Sequence, residues 1–104
     1  MFIKADAGRP SVTLEDRDNF RAFKLVVIGD ASKLDEVRKA LAGIAELPDD
    51  KISWVSEAAL RGFDGVANDR AWQQNLSAMI EKAKPHGWVD EARKAIRAHI
   101  EWQE

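Results

Sequence analysis

The sequence predicts an α+β fold in which a small antiparallel sheet of two to four strands packs against about four helices. Three observations predict it. Apolar runs suited to strands lie in residues 2–28, apolar residues at a helical period follow in the rest of the chain, and segments containing Gly or Pro separate the two kinds of pattern. A length of 104 residues is typical of one domain, so we expect residues 1–104 to form a single globular α+β domain.

The first predicted strands lie at the N-terminus. Residues 2–5 alternate weakly between apolar and polar side chains and predict an edge strand, which ends at the turn-forming AGRP of residues 7–10. Val12 and Leu14 share one face of a second strand at residues 11–15.

Further strands are predicted on both sides of the first helix. The apolar run FRAFKLVVI at residues 20–28 follows the polar turn DRDN, so it predicts a hairpin with residues 11–15. From Phe23 to Ile28 apolar residues occupy both faces of the run, which is typical of a strand covered on both sides. ISWV at residues 52–55 predicts an additional short strand.

Three helices are predicted from apolar periodicity and end signals. The first, at residues 33–46, has apolar residues at spacings of three and four, and the second, at residues 57–63, follows Ser56 as its N-cap. The third, at residues 69–84, is amphipathic and ends at Pro85. Its apolar arc contains Trp72, Leu76, Met79, Ile80 and Ala83.

A fourth helix is predicted at residues 90–102, with Asp90 as its cap. At 100° per residue, the charged side chains of this segment fall in one arc and most apolar side chains take the remainder. His99 falls near the middle of the apolar arc. We therefore expect the His99 imidazole to be buried.

The two histidines are the residues most suited to chemistry, and each has two interpretations. His99 is either a core histidine bonded to a carbonyl or hydroxyl group, or the polar contact of a ligand pocket that it lines with Trp88 and Trp102. His86 follows the third predicted helix, where positive charge is favoured, or it is an exposed contact residue.

Signatures of catalysis and of metal or cofactor binding are absent. The chain has no cysteine, no Gly-x-Ser-x-Gly motif and no His-x-x-x-His spacing. LVVIGDASK joins a strand to a helix but has a single glycine, which does not suit a phosphate-binding loop. We therefore predict no catalytic residue, no metal and no cofactor.

The charge balance and hydropathy exclude two classes of partner. A formal net charge of −2 lacks the basic excess of a nucleic-acid-binding protein, and no apolar run approaches the length of a membrane span. Charges at positions 4 and 6 interrupt the apolar stretch that a signal peptide needs, so we expect a cytoplasmic protein.

Four tryptophans give the best indication of function, because aromatic side chains anchor many protein interfaces. The first hypothesis is a non-enzymatic protein-interaction or regulatory module that self-associates through Trp72 and Trp102. The second is a small-molecule-binding protein, or an enzyme without a recognisable motif, with a pocket between the sheet and the C-terminal helix that uses His99.

Overall fold

A mixed sheet curled into a half-barrel is the main feature of the fold. The computed structural model describes residues 1–103, and at Pro10 it describes the backbone alone. Over this range the sheet has seven strands and is accompanied by three α-helices. The predicted fold, a small antiparallel sheet of two to four strands on four helices, is therefore wrong.

The elements have the following bounds. The strands are β1 (Phe2–Asp6), β2 (Arg9–Glu15), β3 (Lys24–Ile28), β4 (Ala45–Glu46), β5 (Ile52–Ser56), β6 (Val89–Asp90) and β7 (Ala95–Gln103). The helices are α1 (Leu34–Ala40), α2 (Glu57–Arg61) and α3 (Arg70–Ala83), with 3₁₀ turns at Ala31–Lys33 and Lys84–His86.

The strand order is β2-β1-β3-β7-β5-β4, and β6 pairs with β7. β3 runs parallel to both β1 and β7, whereas the other pairs are antiparallel. The hairpin predicted between residues 11–15 and 20–28 is wrong, because β2 pairs with β1 and β1 separates it from β3. For the same reason residues 2–5 are not an edge strand. After β2 the chain crosses β1, so that β3 pairs with the edge of β1 opposite to β2.

The helix predicted at residues 90–102 is replaced by the hairpin β6–β7. Ile96, Ala98 and Ile100 are 3%, 2% and 8% exposed, whereas Arg97 and His99 between them are exposed. This alternation is the two-residue period of a strand with one buried face. The helical interpretation was wrong because the alanines of the segment fit the apolar arc of a helix as well as the apolar face of a strand.

The cap predicted at Asp90 forms, but no helix follows it. The Asp90 carboxylate accepts a hydrogen bond from the backbone N–H of Arg93 at 3.1 Å, which is the contact of a helix N-cap. Lys94 then has a φ of 51°, in the left-handed region, and the chain turns back into β7. The same local signal therefore begins a hairpin loop.

The other predicted helices differ from the structure mainly in length. α1 ends at Ala40, before Gly43 with its φ of 81°, and Ala45–Glu46 pairs with β5, so the predicted helix at 33–46 is too long. α2 begins after Ser56, whose hydroxyl accepts from the Ala59 N–H at 3.2 Å.

The core lies between the inner face of the sheet and the three helices that occupy residues 34–83. Its fully buried members on the helices include Val37, Leu60, Trp72 and Leu76, and Leu41 directly after α1 is also fully buried. The inner face of the sheet contributes Ile3, Leu25, Val27, Val55 and Ile96. Within residues 1–103, no helix is long and apolar enough to span a membrane.

Candidate functional site

A cleft of about 650 Å³ lies between residues 20–23, the end of α3 and the middle of β7. Its apolar lining includes Phe20, Phe23, Met79, Ala83, Trp88 and Ile96. Its polar lining consists of Arg21, Lys82, His86, Arg97 and His99. The cleft therefore contains both histidines of the chain.

Residues 20–23 form one wall, and the amino group of Met1 holds it in place. This group donates hydrogen bonds to the carbonyl oxygens of Asn19 and Ala22 at 3.0 and 3.1 Å. Burial lowers its pKa. Phe20 also packs at 51° against the ring of Trp72, with 5.8 Å between ring centroids. The wall is thus fixed to the start of β1 and to the core.

The end of α3 forms the opposite wall. Lys82, Ala83 and His86 lie three, four and seven residues after Met79, so all four lie along one side of the helix and the turn after it. Gly87 has a φ of 75° and reverses the chain, as glycine does at many helix ends.

Trp88 follows this reversal and lies at the edge of the cleft. Its ring stacks on His86, with 4.4 Å between centroids and 19° between planes. The side chain is 44% exposed. An exposed indole with a fixed orientation is a suitable surface for a flat or apolar group.

The middle of β7 forms the floor. Arg97 donates its backbone N–H to the carbonyl oxygen of Trp88 at 2.7 Å, so the two residues are cross-strand neighbours. β6 pairs with β7 up to Ile96, and β3 pairs with it from His99 onward. The cleft therefore opens along the edge of β7 at the point where its neighbour changes from β6 to β3.

The charged lining residues are all basic, although the chain has a net charge of −2. Arg21, Lys82 and Arg97 form no ion pair with an acidic group within residues 1–103. Glu101 shares the outer face of β7 with His99, but its carboxylate binds the Lys24 ammonium at 3.2 Å. That hydrogen bond lowers the pKa of Glu101 and keeps the carboxylate ionised.

The structure brings together two of the three residues predicted for a pocket. His99 and Trp88 both line the cleft. His99 is exposed, so the prediction of a buried imidazole is wrong. The predicted position against a C-terminal helix is also wrong, because residues 95–103 form β7.

The two tryptophans predicted for an interface lie elsewhere. Trp102 is half-buried outside this cleft, and its indole N–H donates to the Asp50 carbonyl at 2.7 Å. Trp72 is 2% exposed and donates to the Arg17 carbonyl at 2.8 Å. Both indole N–H groups therefore have protein acceptors. Self-association through these residues stays a prediction.

Sequence reasoning missed the basic members of the site. Arg97 was assigned to the polar arc of a helix, and the alternation of residues 96–102 is the signal that places it beside His99 on one strand face. Arg21 and Lys82 carry no comparable signal, because they reach the cleft from separate segments of the chain. Within residues 1–103, no three His, Cys, Asp or Glu side chains are grouped as metal ligands would be.

Comparison with known proteins assigns neither a family nor a function to the chain. No protein-family model, curated protein or solved structure matches the chain. The functional interpretation therefore depends on the geometry and chemistry of the cleft.

Proposed function

We propose that the protein binds a small organic anion with an apolar portion in the cleft between residues 20–23, α3 and β7. The observation that carries the proposal is the combination of aromatic walls with charged lining residues that are all basic. A volume of about 650 Å³ is within the range of small-molecule sites. The cytoplasmic location expected from the sequence is compatible with such a ligand.

The basic residues are not explained by the local structure alone. Lys82 and His86 lie at the end of α3, where the helix dipole favours positive charge. Arg21 and Arg97 lie outside that helix, on the segment before β3 and on β7. Grouping cations in one cleft costs electrostatic energy, which an anionic ligand would offset.

A pair of matched probes tests the proposal. 8-Anilinonaphthalene-1-sulfonate has an apolar aromatic body and one negative charge, and N-phenyl-1-naphthylamine has the same body without the charge. We expect the sulfonate to bind at one site, at least about fivefold more tightly than the neutral amine, since a cation near a protein surface contributes about 1 kcal/mol or more to a charged contact. Equal affinities would contradict the proposal.

The exposed side chain of Trp88 favours a second candidate function, which is self-association. It is the large apolar side chain most open to solvent within residues 1–103. Sedimentation equilibrium of the wild type and of Trp88→Ala tests it. A wild-type mass above that of the monomer, restored to the monomer value in the variant, would support self-association through this surface, and a monomeric wild type would exclude it.

A further inference from the structure

We infer that the ligand of the cleft is a nucleoside monophosphate, whose base stacks on Trp88 while its phosphate binds Arg97 and the neighbouring cations. This inference rests on the proposed function and adds the ligand class. Three features of the cleft support it. They are the arrangement of the Trp88 ring and the Arg97 guanidinium, the number of cations, and the volume.

The arrangement places an aromatic surface beside a guanidinium. Val89 pairs with Ile96, and the Arg97 N–H donates to the Trp88 carbonyl, so the antiparallel register continued by one residue places Trp88 opposite Arg97, with both side chains on the same face of the sheet. His86 stacks on Trp88, and no other aromatic ring within residues 1–103 does. A base can stack on the open indole surface while an anion attached to it reaches the guanidinium.

The number of cations favours a phosphate over a carboxylate. A carboxylate carries one negative charge, whereas a phosphate monoester carries about −1.5 to −2 at neutral pH. Arg21, Lys82 and Arg97 together match the larger charge, and a guanidinium can bind two phosphate oxygens at once.

The size of the cleft favours a ligand with three parts. A volume of about 650 Å³ lies in the middle of the range for small-molecule sites, so it is generous for a single ring that carries an anion. A nucleoside monophosphate has three such parts, a base, a sugar and a phosphate, and Trp88, Arg97 and Arg21 all line this cleft.

The test compares AMP with its two fragments, adenosine and ribose 5-phosphate, by isothermal titration calorimetry at low ionic strength. We expect AMP to bind roughly tenfold more tightly than either fragment, because stacking and phosphate contacts each contribute a factor of about this size. Equal affinities for AMP and ribose 5-phosphate would overturn the inference.

Variants of the two central residues assign the contributions. Trp88→Ala is expected to reduce AMP affinity to that of ribose 5-phosphate, whereas Trp88→Phe keeps a ring and retains most of the preference. Arg97→Gln is expected to reduce AMP affinity part of the way to that of adenosine, because Arg21 and Lys82 remain, and Arg70→Gln, which removes the same charge outside the cleft, is the control. Unchanged AMP affinity in Trp88→Ala would overturn the inference.

The outcomes separate this inference from the proposed function. If the naphthalene sulfonate binds in the cleft and AMP binds no better than its fragments, the protein binds organic anions but not nucleoside monophosphates. If neither the sulfonate nor AMP binds, the proposed function fails and the inference fails with it.

Discussion

The backbone N–H of Arg97 donates a 2.7 Å hydrogen bond to the carbonyl oxygen of Trp88, which makes the two residues cross-strand neighbours. Through this contact the chain after α3 is held against β7, and the side chains of both residues line the cleft. The cleft depends on this relationship, because it joins the wall formed by the end of α3 to the floor formed by β7.

The first prediction concerns the charge of Arg97. Arg97→Gln is expected to weaken binding of 8-anilinonaphthalene-1-sulfonate about fivefold to tenfold, since it removes a charge-assisted contact that is partly screened by solvent. Fluorescence titration measures the effect. Arg70→Gln removes an exposed positive charge from the first turn of α3 and should leave the affinity unchanged. The same loss in both variants would point to the net charge of the protein rather than to the cleft.

Ionic strength provides the second prediction. Salt screens exposed charges over a Debye length of about 10 Å at 0.1 M. Affinity for the naphthalene sulfonate should therefore fall as sodium chloride rises, while affinity for the neutral naphthylamine should stay constant or rise. Parallel titrations with the two probes make the comparison. A salt effect of the same sign and size for both probes would argue against cations in the site.

The third prediction tests the strand at β7. Ile100 is 8% exposed, and Ile100→Ala should lower the free energy of unfolding by about 2–4 kcal/mol because it leaves a cavity in the core. His99 faces solvent, so His99→Ala should change it by less than about 0.5 kcal/mol. Urea denaturation measures both. A helix at 90–102 would bury both side chains, so a large loss in His99→Ala would refute the strand.

The fourth prediction concerns the loss of folding stability at acidic pH. The backbone N–H groups of Lys51 and Ile52 donate to the Asp49 carboxylate at 2.8 and 2.9 Å and lower its pKa. A carboxyl group whose pKa is lower in the folded than in the unfolded chain stabilises the fold at a pH above the unfolded pKa of about 3.9. This stability is lost as the pH falls through the folded pKa.

Asp49→Asn should therefore lose less stability between pH 7 and pH 3 than the wild type does. The amide still offers an oxygen to the two N–H groups, so the fold should be retained. Asp64→Asn, in an exposed loop, is the matched control and should follow the wild type. An identical pH dependence in wild type and Asp49→Asn would mean that this carboxylate does not contribute.

Parts of the fold follow from local patterns in the sequence, and others depend on distant partners. α3 can be predicted because its apolar residues keep a helical period and because Asp69 and Pro85 lie at its two ends. β7 cannot be predicted in this way, because its alanines are compatible with a helix as well as with a strand. What favours the strand is pairing with β3 and β5, which contribute Leu25 and Val55 from far away in the chain.

The site was harder to predict than the fold. His99 and Trp88 are residue types that suggest a site, whereas Lys and Arg residues are common on any protein surface. Lys82 suits a helix end, and Arg97 suits any solvent-facing position. They line one cleft only because three separate segments of the chain meet around it.

The most direct test of anion binding in this cleft is a titration of ¹⁵N-labelled protein with 8-anilinonaphthalene-1-sulfonate, followed by amide and indole chemical shifts. We expect saturable shifts concentrated in residues 20–23, 79–88 and 96–99, including the indole N–H of Trp88, and no comparable shifts with the neutral naphthylamine. Saturable shifts centred elsewhere, or the same shifts with both probes, would contradict the assignment of this cleft as an anion-binding site.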